Sequence, residues 1–264
     1  MSQTGDSDVG VALVTGASSG IGWELSKLFA ADGYDLVLVA RSEDKLRQLG
    51  EMLQREHGVG VTVVVKDLAR PESPGEIQAA LDERGITIDV LVNNAGFGTN
   101  GPFAETDLGR ELDEIQVNVT ALTELTKRFL PGMVERGHGR VLNVASTAAF
   151  QPGPFMAVYY ATKAYVLHFS EALSEELDGT GVTVTALCPG ATSTTFDERA
   201  GVADTPLFQG DVASAADVAE TGYRATMQGK PVAVHGWKNK LLTLAVRFTP
   251  RSTIRKIVKR LNTA

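Results

Sequence analysis

Cysteine is almost absent from this sequence, and no stretch of it reads as a membrane span. Of the 264 residues only Cys188 is a cysteine, so the chain cannot form an internal disulfide. The first eight residues are polar and acidic, unlike a secretory signal, and we therefore expect a reducing, cytoplasmic setting. The longest uncharged run, residues 141–162, is interrupted by Pro152–Pro154, which predicts a buried or pocket-lining segment instead of a transmembrane helix.

Aromatic residues and histidines are also scarce. Aromatics make up 6% of the chain, and the four histidines show neither ligand spacing nor a neighbouring cysteine, so we predict no metal site. With 43% hydrophobic and 22% charged residues, the composition excludes disordered and fibrous proteins. The length suits one continuous α/β core, and we expect a single domain over residues 1–264 in which residues 1–8 are flexible.

Positive charge is concentrated at the end of the chain. The sequence has 25 Lys and Arg against 32 Asp and Glu, a net charge of −7, yet residues 237–264 contain eight Lys and Arg and no acid. The acidic remainder should repel nucleic acid, so we expect no nucleic-acid partner, whereas the basic tail is able to attract anions.

Seven short apolar runs, rich in β-branched residues, alternate with longer segments of helical periodicity. The runs are residues 11–15, 36–40, 61–65, 88–93, 140–144, 182–187 and 232–235. They are apolar throughout instead of alternating, which is typical of a parallel sheet covered by helices on both faces. We therefore predict a Rossmann-type, doubly wound α/β fold with a seven-stranded parallel sheet flanked by helices. A C-terminal amphipathic helical extension follows over residues 237–264.

Residues 191–210 break this alternation. The segment is polar, contains glycine and proline, and is too long for a simple turn. Loops of this kind usually act as lids over a site, and we expect a lid here.

The first predicted strand runs into a glycine-rich turn that is followed at once by an amphipathic helix. Three glycines at a strand-to-helix turn let the backbone approach a pyrophosphate, and the helix N-terminus then directs free N–H groups at the phosphates. The alternative is a tight turn with a purely structural role. The candidate cofactor-binding residues of this turn are Gly16, Ser18, Ser19, Gly20, Ile21 and Gly22.

The end of the second predicted strand indicates which cofactor binds. About 20 residues after the glycine turn of a dinucleotide fold, an acid binds the ribose of NAD, whereas an arginine accommodates the extra phosphate of NADP. This sequence has Arg41 there and no carboxylate before Glu43. An arginine can hold a phosphate through two hydrogen bonds, so we predict NADP(H) over NAD(H). A solvated arginine at a helix start is the alternative.

Polar residues also follow the third and fourth predicted strands. Asp67 ends the third strand, and Asn93-Asn94-Ala95-Gly96 ends the fourth. Ligands of open α/β sheets bind at this carboxyl edge, which makes these residues candidate contacts. Each of them, taken singly, is equally explained as a turn-forming residue.

The sharpest chemical signal is Tyr159 followed four residues later by Lys163, on a helix that we predict to begin near Phe155. That spacing puts both side chains on one helix face. An ammonium in a partly desolvated cleft would lower the pKa of the phenol and make it a usable acid and base. Ser146, after the fifth strand, can hydrogen-bond the same substrate oxygen, and Tyr160 is the alternative to Tyr159.

Together these motifs resemble the short-chain dehydrogenase/reductase family, in its compact single-domain branch. The resemblance covers about residues 9–236. It rests on TGASSGIG at 15–22, NNAG at 93–96, Asn118, Ser146, YYATK at 159–163 and the Pro-Gly pair at 189–190. The family implies a homodimer or homotetramer and a catalytic site of four residues.

The resemblance implies a role for each of the four. Tyr159 would be the general acid and base, and Lys163 would hold the nicotinamide ribose and lower the tyrosine pKa. Ser146 would orient the carbonyl, and Asn118 would support a water-linked proton relay. Taken alone, Asn118 is also explained as a local disruption of a helix, and Ser146 as a partner for buried backbone.

The resemblance also implies which residues contact the cofactor. One group lies beside the adenosine: Asp67, Leu68, Asn93, Ala95 and Gly96. A second group lies beside the nicotinamide: Pro189, Gly190, Thr192 and Thr194, together with Tyr159 and Lys163. The family's usual residue at position 192 is aliphatic, so the threonine is a departure.

The basic tail has helical periodicity on both sides of Pro250. One apolar set precedes the proline, at 241, 244, 245 and 248, and a second follows it, at 254, 257, 258 and 261, surrounded by basic residues. A basic amphipathic helix can lie on an anionic membrane surface, pack on a partner subunit, or cover the protein's own core. All three alternatives stay open, including peripheral membrane contact.

The sequence therefore predicts an NADP(H)-dependent oxidoreductase that interconverts a secondary alcohol and a ketone or aldehyde carbonyl. The uncharged segment 147–160, with Phe97, Phe150, Phe155 and Met156, favours a small hydrophobic substrate. One rival is a non-catalytic NADP(H)-binding sensor on the same fold, which would not need the Tyr, Lys and Ser set. Another is dehydration or epimerisation on the same scaffold.

Overall fold

The structure is a computed structural model that describes residues 10–210 and 212–263. The N-terminal segment predicted to be flexible, residues 1–8, lies outside the described residues.

The strands and helices alternate along the chain. In order they are β1 (Val11–Thr15), α1 (Gly20–Ala31), β2 (Asp35–Ala40), α2 (Glu43–His57), β3 (Val61–Val65), α3 (Ser73–Asp82), β4 (Val90–Asn93), α4 (Leu108–Ile115), a π-helical turn (Gln116–Ala121), α5 (Leu122–Arg136), β5 (Gly139–Val144), a 3₁₀ turn (Thr147–Phe150), α6 (Ala157–Glu176), β6 (Val182–Cys188), β7 (Thr192–Ser193), α7 (Phe196–Ala200), β8 (Ala213–Ser214), α8 (Ala215–Met227), β9 (Val232–Val234), α9 (Trp237–Val246) and α10 (Arg251–Asn262).

Seven of these strands form one parallel sheet in the order β3-β2-β1-β4-β5-β6-β9, which confirms the predicted doubly wound fold. The predicted bounds of β1 and β3 match the structure, and those of the other five strands differ by one or two residues. β4, for instance, begins at Val90 and not at residue 88, and the carboxylate of the preceding Asp89 accepts a hydrogen bond from the Val11 amide. The chain moves outward from β1 in both directions, so the crevice where ligands bind such sheets opens beyond the carboxyl ends of β1 and β4.

Alternate residues of each central strand face opposite helix layers. In β1, Ala12 and Val14 pack with buried residues of α1, α2 and α8, whereas Leu13 packs with residues of α3 and α5. Both faces of the strand are therefore covered, which is why its sequence is apolar throughout.

The segment predicted to be a lid, residues 191–210, holds short ordered elements. β7 pairs with β8, α7 follows it, and Val202 is completely buried. The helix predicted from about Phe155 begins instead at Ala157, since Phe155 has a left-handed backbone with φ of 69°.

A polar chain of hydrogen bonds crosses the core next to the sheet edge. The side-chain amide of Asn93 donates to Thr126 Oγ1 of α5 at 3.0 Å and to Asn143 Oδ1 of β5 at 2.9 Å. Asn143 in turn donates to Ser170 Oγ of α6 at 2.9 Å. All four side chains are almost inaccessible to solvent, so these bonds connect two strands to two helices in a medium where a lost partner is costly.

Replacing Asn143 by alanine should lower the free energy of unfolding by about 2–3 kcal/mol, because two buried hydrogen bonds and their side-chain volume are lost. Urea denaturation of the variant and the parent measures this change. Gln54→Ala, on the exposed face of α2, is the control and should change the free energy by less than about 0.5 kcal/mol. An unchanged midpoint for Asn143→Ala would contradict the role given to this chain of bonds.

Candidate active site

A cavity of about 780 Å³ opens at the carboxyl edge of the sheet. Its wall begins at the glycine turn after β1, follows the ends of β2 to β6, and finishes with residues of the 191–210 segment and of α10. A volume of this size is in the range of cofactor and substrate pockets.

The glycine turn forms the floor of one end of this cavity. Gly16 and Gly20 have φ of 67° and 57°, in the left-handed region that glycine adopts without strain. A Cβ on Gly16 would lie 2.7 Å from Asn94 Nδ2, and one on Gly20 would lie 2.9 Å from Thr194 Cγ2. The close approach leaves the N-terminus of α1 open to the cavity, with lining residues Gly16, Ser18, Ser19, Gly20 and Ile21. These residues fit a pyrophosphate.

Gly22, predicted to contact the cofactor, is not among the residues that line the cavity. A Cβ at this position would collide with Asn94 Nδ2 and with the carbonyl oxygen of Gly16. Its missing side chain therefore lets α1 pack against the strand ends instead of making room for a ligand.

Asn93, also predicted to contact the cofactor, is the second residue that lies outside the cavity wall. Its side chain points into the core, where it holds the bonds to Thr126 and Asn143, and it is absent from the cavity wall. Asn94 lines the cavity instead, and its amide donates to the carbonyl oxygen of Thr15 at 2.8 Å. Leu91 and Val92 are both completely buried, so the apolar pattern of β4 does not show which of the two asparagines faces the cavity.

Ala95 and Gly96 continue the cavity wall on the same side as Asn94. The end of the cavity predicted to bind the adenosine contains two basic residues. Arg41 and Lys66 both line the cavity, beside Ser42, Asp67 and Leu68. Arg41 Nη1 lies 3.8 Å from Asp67 Oδ2, with the arginine side chain 65% exposed, so the guanidinium stays accessible to a ligand. Lys66 donates to Glu76 at 2.6 Å. The wall can accept a phosphate group at this end.

Tyr159, Lys163 and Ser146 meet at the centre of the cavity wall. The Lys163 ammonium lies 5.7 Å from the centroid of the Tyr159 ring and donates to the carbonyl oxygen of Val144 at 2.8 Å. Ser146 Oγ accepts from the Ala148 amide at 3.1 Å. The structure therefore brings together three of the four residues predicted to be catalytic.

Burial dominates the proton affinities of this group. It raises the pKa of Tyr159 above its ordinary value, and a hydrogen bond with Ser146 opposes that rise. Burial lowers the pKa of Lys163 to about 8, and the carboxylate of Glu114 opposes that drop. The sequence predicts a lowered tyrosine pKa, and the direction here is opposite because the hydroxyl is enclosed while the ammonium is bound to the Val144 carbonyl.

Tyr160, the alternative to Tyr159, is turned away from this group. Its hydroxyl donates to Asn262 Oδ1 of α10 at 3.2 Å, and its side chain is buried. Tyr159 is thus the tyrosine whose hydroxyl is beside Ser146.

Asn118, the fourth predicted catalytic residue, does not reach the cavity wall. It lies in the π-helical turn, where Oδ1 accepts from the Phe97 amide at 3.1 Å. Its Nδ2 donates to the Phe97 carbonyl at 2.9 Å and to Thr162 Oγ1 at 3.1 Å. The side chain is therefore fully occupied in joining the loop after β4 to α6, and it positions residues that touch the cavity.

The segment after β6 completes the nicotinamide end of the wall. Pro189, Gly190, Thr192 and Thr194 all line the cavity. Thr192 Oγ1 donates to the Gly190 carbonyl at 3.0 Å, and Thr194 Oγ1 accepts from the Phe196 amide at 3.1 Å. The two threonine hydroxyls thus help to hold the shape of this segment.

The apolar part of the wall differs from the prediction. Phe97 and Met156 line the cavity, but Phe150 packs in a core cluster with Leu122, and Phe155 lies under the Lys259 ammonium at 5.7 Å. The apolar contacts that the sequence interpretation missed come from later in the chain: Phe196, Leu207, Phe208 and Leu261.

The two helices of the basic tail are placed differently. In α10, Ile254 and Val258 are buried against the cluster that contains Met156 and Tyr160, so its apolar face covers the protein's own core. In α9, the large apolar side chains are 52–71% exposed at Trp237, Leu241, Leu242 and Leu244, and Phe248, two residues after the helix, is 81% exposed. The apolar residues at helical spacing over 254–261 predicted an amphipathic helix. The sequence alone did not show that this helix covers the site.

Asn262 connects the end of α10 to three parts of the site. Its side-chain amide donates to the Pro154 carbonyl at 2.9 Å, and its Oδ1 accepts from Tyr160. Its main-chain carbonyl accepts from Asn100 Nδ2 at 3.0 Å. These bonds hold the neighbouring Leu261 at the cavity wall.

Within residues 10–210 and 212–263, no three His, Cys, Asp or Glu side chains are grouped so that they could hold a metal ion. In the same ranges, none of the helices has the length and apolarity that a membrane crossing requires.

The chain is similar to known proteins over most of its described length. The family model for short chain dehydrogenases matches residues 10–204. A putative ketoacyl reductase from Streptomyces coelicolor is 42% identical over 192 residues, which are 71% of this chain and 72% of that protein. A very-long-chain 3-oxoacyl-CoA reductase from Anas platyrhynchos is 32% identical over 258 residues, 95% of this chain and 79% of that one.

A solved structure is similar over most of the chain. It is a short-chain dehydrogenase from Sphingobium yanoikuyae in complex with NADPH, with 34% sequence identity and a TM-score of 0.80. The match covers 93% of this chain and 96% of that one.

Proposed function

Because this chain belongs to the short-chain dehydrogenase family, we propose that it is an NADP(H)-dependent oxidoreductase that interconverts a secondary alcohol and a ketone or aldehyde carbonyl. The observation that carries the proposal is the shared cavity. Its wall contains the glycine turn, which fits a dinucleotide, and also Ser146, Tyr159 and Lys163, which can transfer a proton.

In the reductive direction the carbonyl oxygen of the substrate would accept hydrogen bonds from Tyr159 and Ser146. NADPH, when bound, supplies the hydride that reduces the carbonyl carbon. As negative charge develops on the oxygen, Tyr159 gives up its hydroxyl proton and the product alcohol forms. Lys163 would bind a cofactor ribose and stabilise the resulting phenolate with its ammonium charge. Alcohol oxidation uses the same groups in reverse.

An intact set of these three side chains disfavours the non-catalytic sensor. A protein that only binds the nucleotide has no use for a half-buried phenol beside a serine and a buried ammonium. The substrate class is proposed from the apolar wall at Met156, Phe208 and Leu261, which suits a hydrophobic acyl or aryl ketone. The names of two relatives, both reductases of oxoacyl compounds, support a 3-oxoacyl thioester.

Tyr159→Phe should keep NADPH binding within a few-fold and lower kcat/KM by at least about 100-fold, because only the transferable proton is removed. The measurement is NADPH fluorescence for binding and NADPH oxidation with 3-oxoacyl thioesters, aromatic ketones and short charged oxo acids.

Tyr160→Phe is the matched control and should retain turnover, since its hydroxyl is bonded to Asn262. Equal losses in the two variants would overturn the assignment of Tyr159. NADPH binding by the parent protein without turnover of any carbonyl compound would favour the sensor, and activity confined to the charged acids would contradict the hydrophobic substrate.

The preference for NADP(H) is proposed from the basic pair at the adenosine end. Arg41 and Lys66 line the cavity there, and the position that holds an acid in NAD-binding relatives is not acidic. The similar structure bound to NADPH supports the same cofactor.

Arg41→Ala should raise the Kd for NADPH by about 10-fold to 100-fold, because charge-assisted hydrogen bonds to the phosphate are lost. NADH, which lacks that phosphate, should bind almost as before. Fluorescence titration with both nucleotides measures the effect, and Arg47→Ala, whose guanidinium pairs with Glu43 on α2, is the control. An equal weakening of both nucleotides by Arg41→Ala would refute the proposed phosphate contact.

We also propose a homodimer or homotetramer, in keeping with the family. Exposed apolar side chains on α4 and α6 support a subunit interface: Leu108, Leu112, Ile115 and Tyr165. A monomer in sedimentation equilibrium at micromolar concentration would contradict this.

Peripheral contact of a cytoplasmic protein with an anionic membrane is proposed for α9. Its exposed apolar side chains lie in the stretch 237–264, which has eight basic residues and no acid. Such a surface can insert apolar groups into the interface while each basic group adds about 1 kcal/mol of attraction to anionic lipid. A symmetric contact between two copies of this face would instead bring like charges together.

Trp237→Ser combined with Phe248→Ser should abolish sedimentation with phosphatidylserine vesicles, because both side chains are more than two-thirds exposed and would enter the interface. The parent protein should sediment with these vesicles and stay in the supernatant with phosphatidylcholine alone. Phe103→Ser, which removes an aromatic ring that is 64% exposed elsewhere, is the control. If the parent protein is recovered equally in the supernatant with both lipids, the membrane proposal is wrong.

A further inference from the structure

Glu114 is a buried acid that the proposed mechanism does not use. Its side chain, near the end of α4, has 0% exposure, and neither carboxylate oxygen has a hydrogen-bond partner among the described residues. The hydroxyl of Thr99 is also buried without a hydrogen-bond partner. It is near enough to the Glu114 carboxyl to lower the pKa of that group. A buried carboxyl without hydrogen-bond partners lowers the stability of the folded protein, so we expect a function that requires it.

The packing of α4 and the π-helical turn places Glu114 beside the catalytic helix. Both elements contact α6, and the bond from Asn118 to Thr162 lies one turn further along the same face. The next residue after Thr162 is Lys163. Glu114 itself is absent from the cavity wall, so it acts from behind the residues that line the site.

Lys163 needs a negative charge in its surroundings. Its side chain is 5% exposed, and its ammonium donates to the Val144 carbonyl, a neutral acceptor. The pKa of Lys163 is raised by the charge of Glu114 and, more weakly, by that of the buried thiol Cys188. The thiol is neutral at physiological pH because burial raises its pKa to about 12, which leaves the Glu114 carboxylate as the effective counter-charge.

The charged and hydrogen-bonding groups around Glu114 come from three parts of the chain. Arg110 and Glu111 belong to its own helix, Thr99 to the loop after β4, and Lys163 to α6. Burial raises the pKa of Glu114 to about 7, while Lys163 and Arg110 favour its ionised form. When it is ionised, Glu114 raises the pKa of both Lys163 and Tyr159.

We propose that Glu114 is a positioning residue whose buried carboxylate is the counter-charge of the Lys163 ammonium, and that it thereby sets the pH range in which Tyr159 exchanges its proton. The kinetic part of this inference rests on the proposed oxidoreductase function. The pairing of Glu114 with Lys163 does not depend on that function. The two parts are therefore tested by separate measurements.

Glu114→Gln keeps the size of the side chain and removes its charge. Loss of a nearby negative charge favours the deprotonated form of both Lys163 and Tyr159, so both pKa values should fall. In alcohol oxidation, which needs the deprotonated tyrosine, the rising limb of kcat/KM against pH should move down by about one pH unit. Glu114→Asp, which retains a carboxylate, should restore part of the shift.

Glu111→Gln is the matched control. Glu111 is a second buried acid on α4, one turn before Glu114, and it accepts a hydrogen bond from Thr106 at 2.8 Å. Glu111 acts on Glu114 but not directly on Lys163, so its replacement should move the pH profile much less than Glu114→Gln does. Thermal unfolding and NADPH binding show whether each variant is folded and intact.

A second measurement needs no turnover. NMR titration of protein with ¹³C-labelled lysine side chains follows Lys163, whose signal is assigned by its loss in Lys163→Ala, and Glu114→Gln should lower the midpoint by about one pH unit. If that midpoint moves but no carbonyl compound is reduced by the parent, the pairing stands and the proposed function fails. If the parent is active and neither the midpoint nor the kinetic profile moves, the inference is overturned.

Discussion

The hydrogen bond from the Lys163 ammonium to the Val144 carbonyl, 2.8 Å long, fixes α6 against the end of β5. Tyr159 stands one helical turn before the lysine on the same face, so this bond also places the phenol. Ser146 follows Val144 by two residues, and the amide of the next residue, Thr147, donates to the Pro189 carbonyl at 2.8 Å. One buried contact thus aligns the proton-transfer residues with the segment that closes the nicotinamide end.

Local chemistry explains what could be predicted from the sequence. The seven strands were recognisable because helices cover both faces of the sheet, as Leu13 and Val14 of β1 illustrate, and such burial requires continuous apolar runs. Gly16 and Gly20 were recognisable because left-handed backbone at a strand-to-helix turn favours glycine. The four-residue spacing of Tyr159 and Lys163 is likewise a property of a single helix.

The features that could not be predicted depend on contacts between distant parts of the chain. Asn93 and Asn94 are adjacent, and only the registry of β4 with β5 decides which of them faces the cavity. The direction of the Tyr159 pKa shift depends on how deeply the hydroxyl is enclosed, which no spacing reveals. The role of Leu261 depends on α10 returning across the site, more than 100 residues after Tyr159.

Because α10 contributes to the cavity wall, the residues for proton transfer and some of the apolar wall residues lie in different parts of the chain. The residues for proton transfer lie within the part that the family model matches, residues 10–204, whereas Leu207, Phe208 and Leu261 lie beyond it. Changes in α10 and around residues 207–208 could therefore alter which molecules are accepted, while the reacting groups and the sheet stay as they are. Evolution or an engineer can diversify such a scaffold by grafting tails, with Asn262 retained as the anchor that keeps a new tail seated.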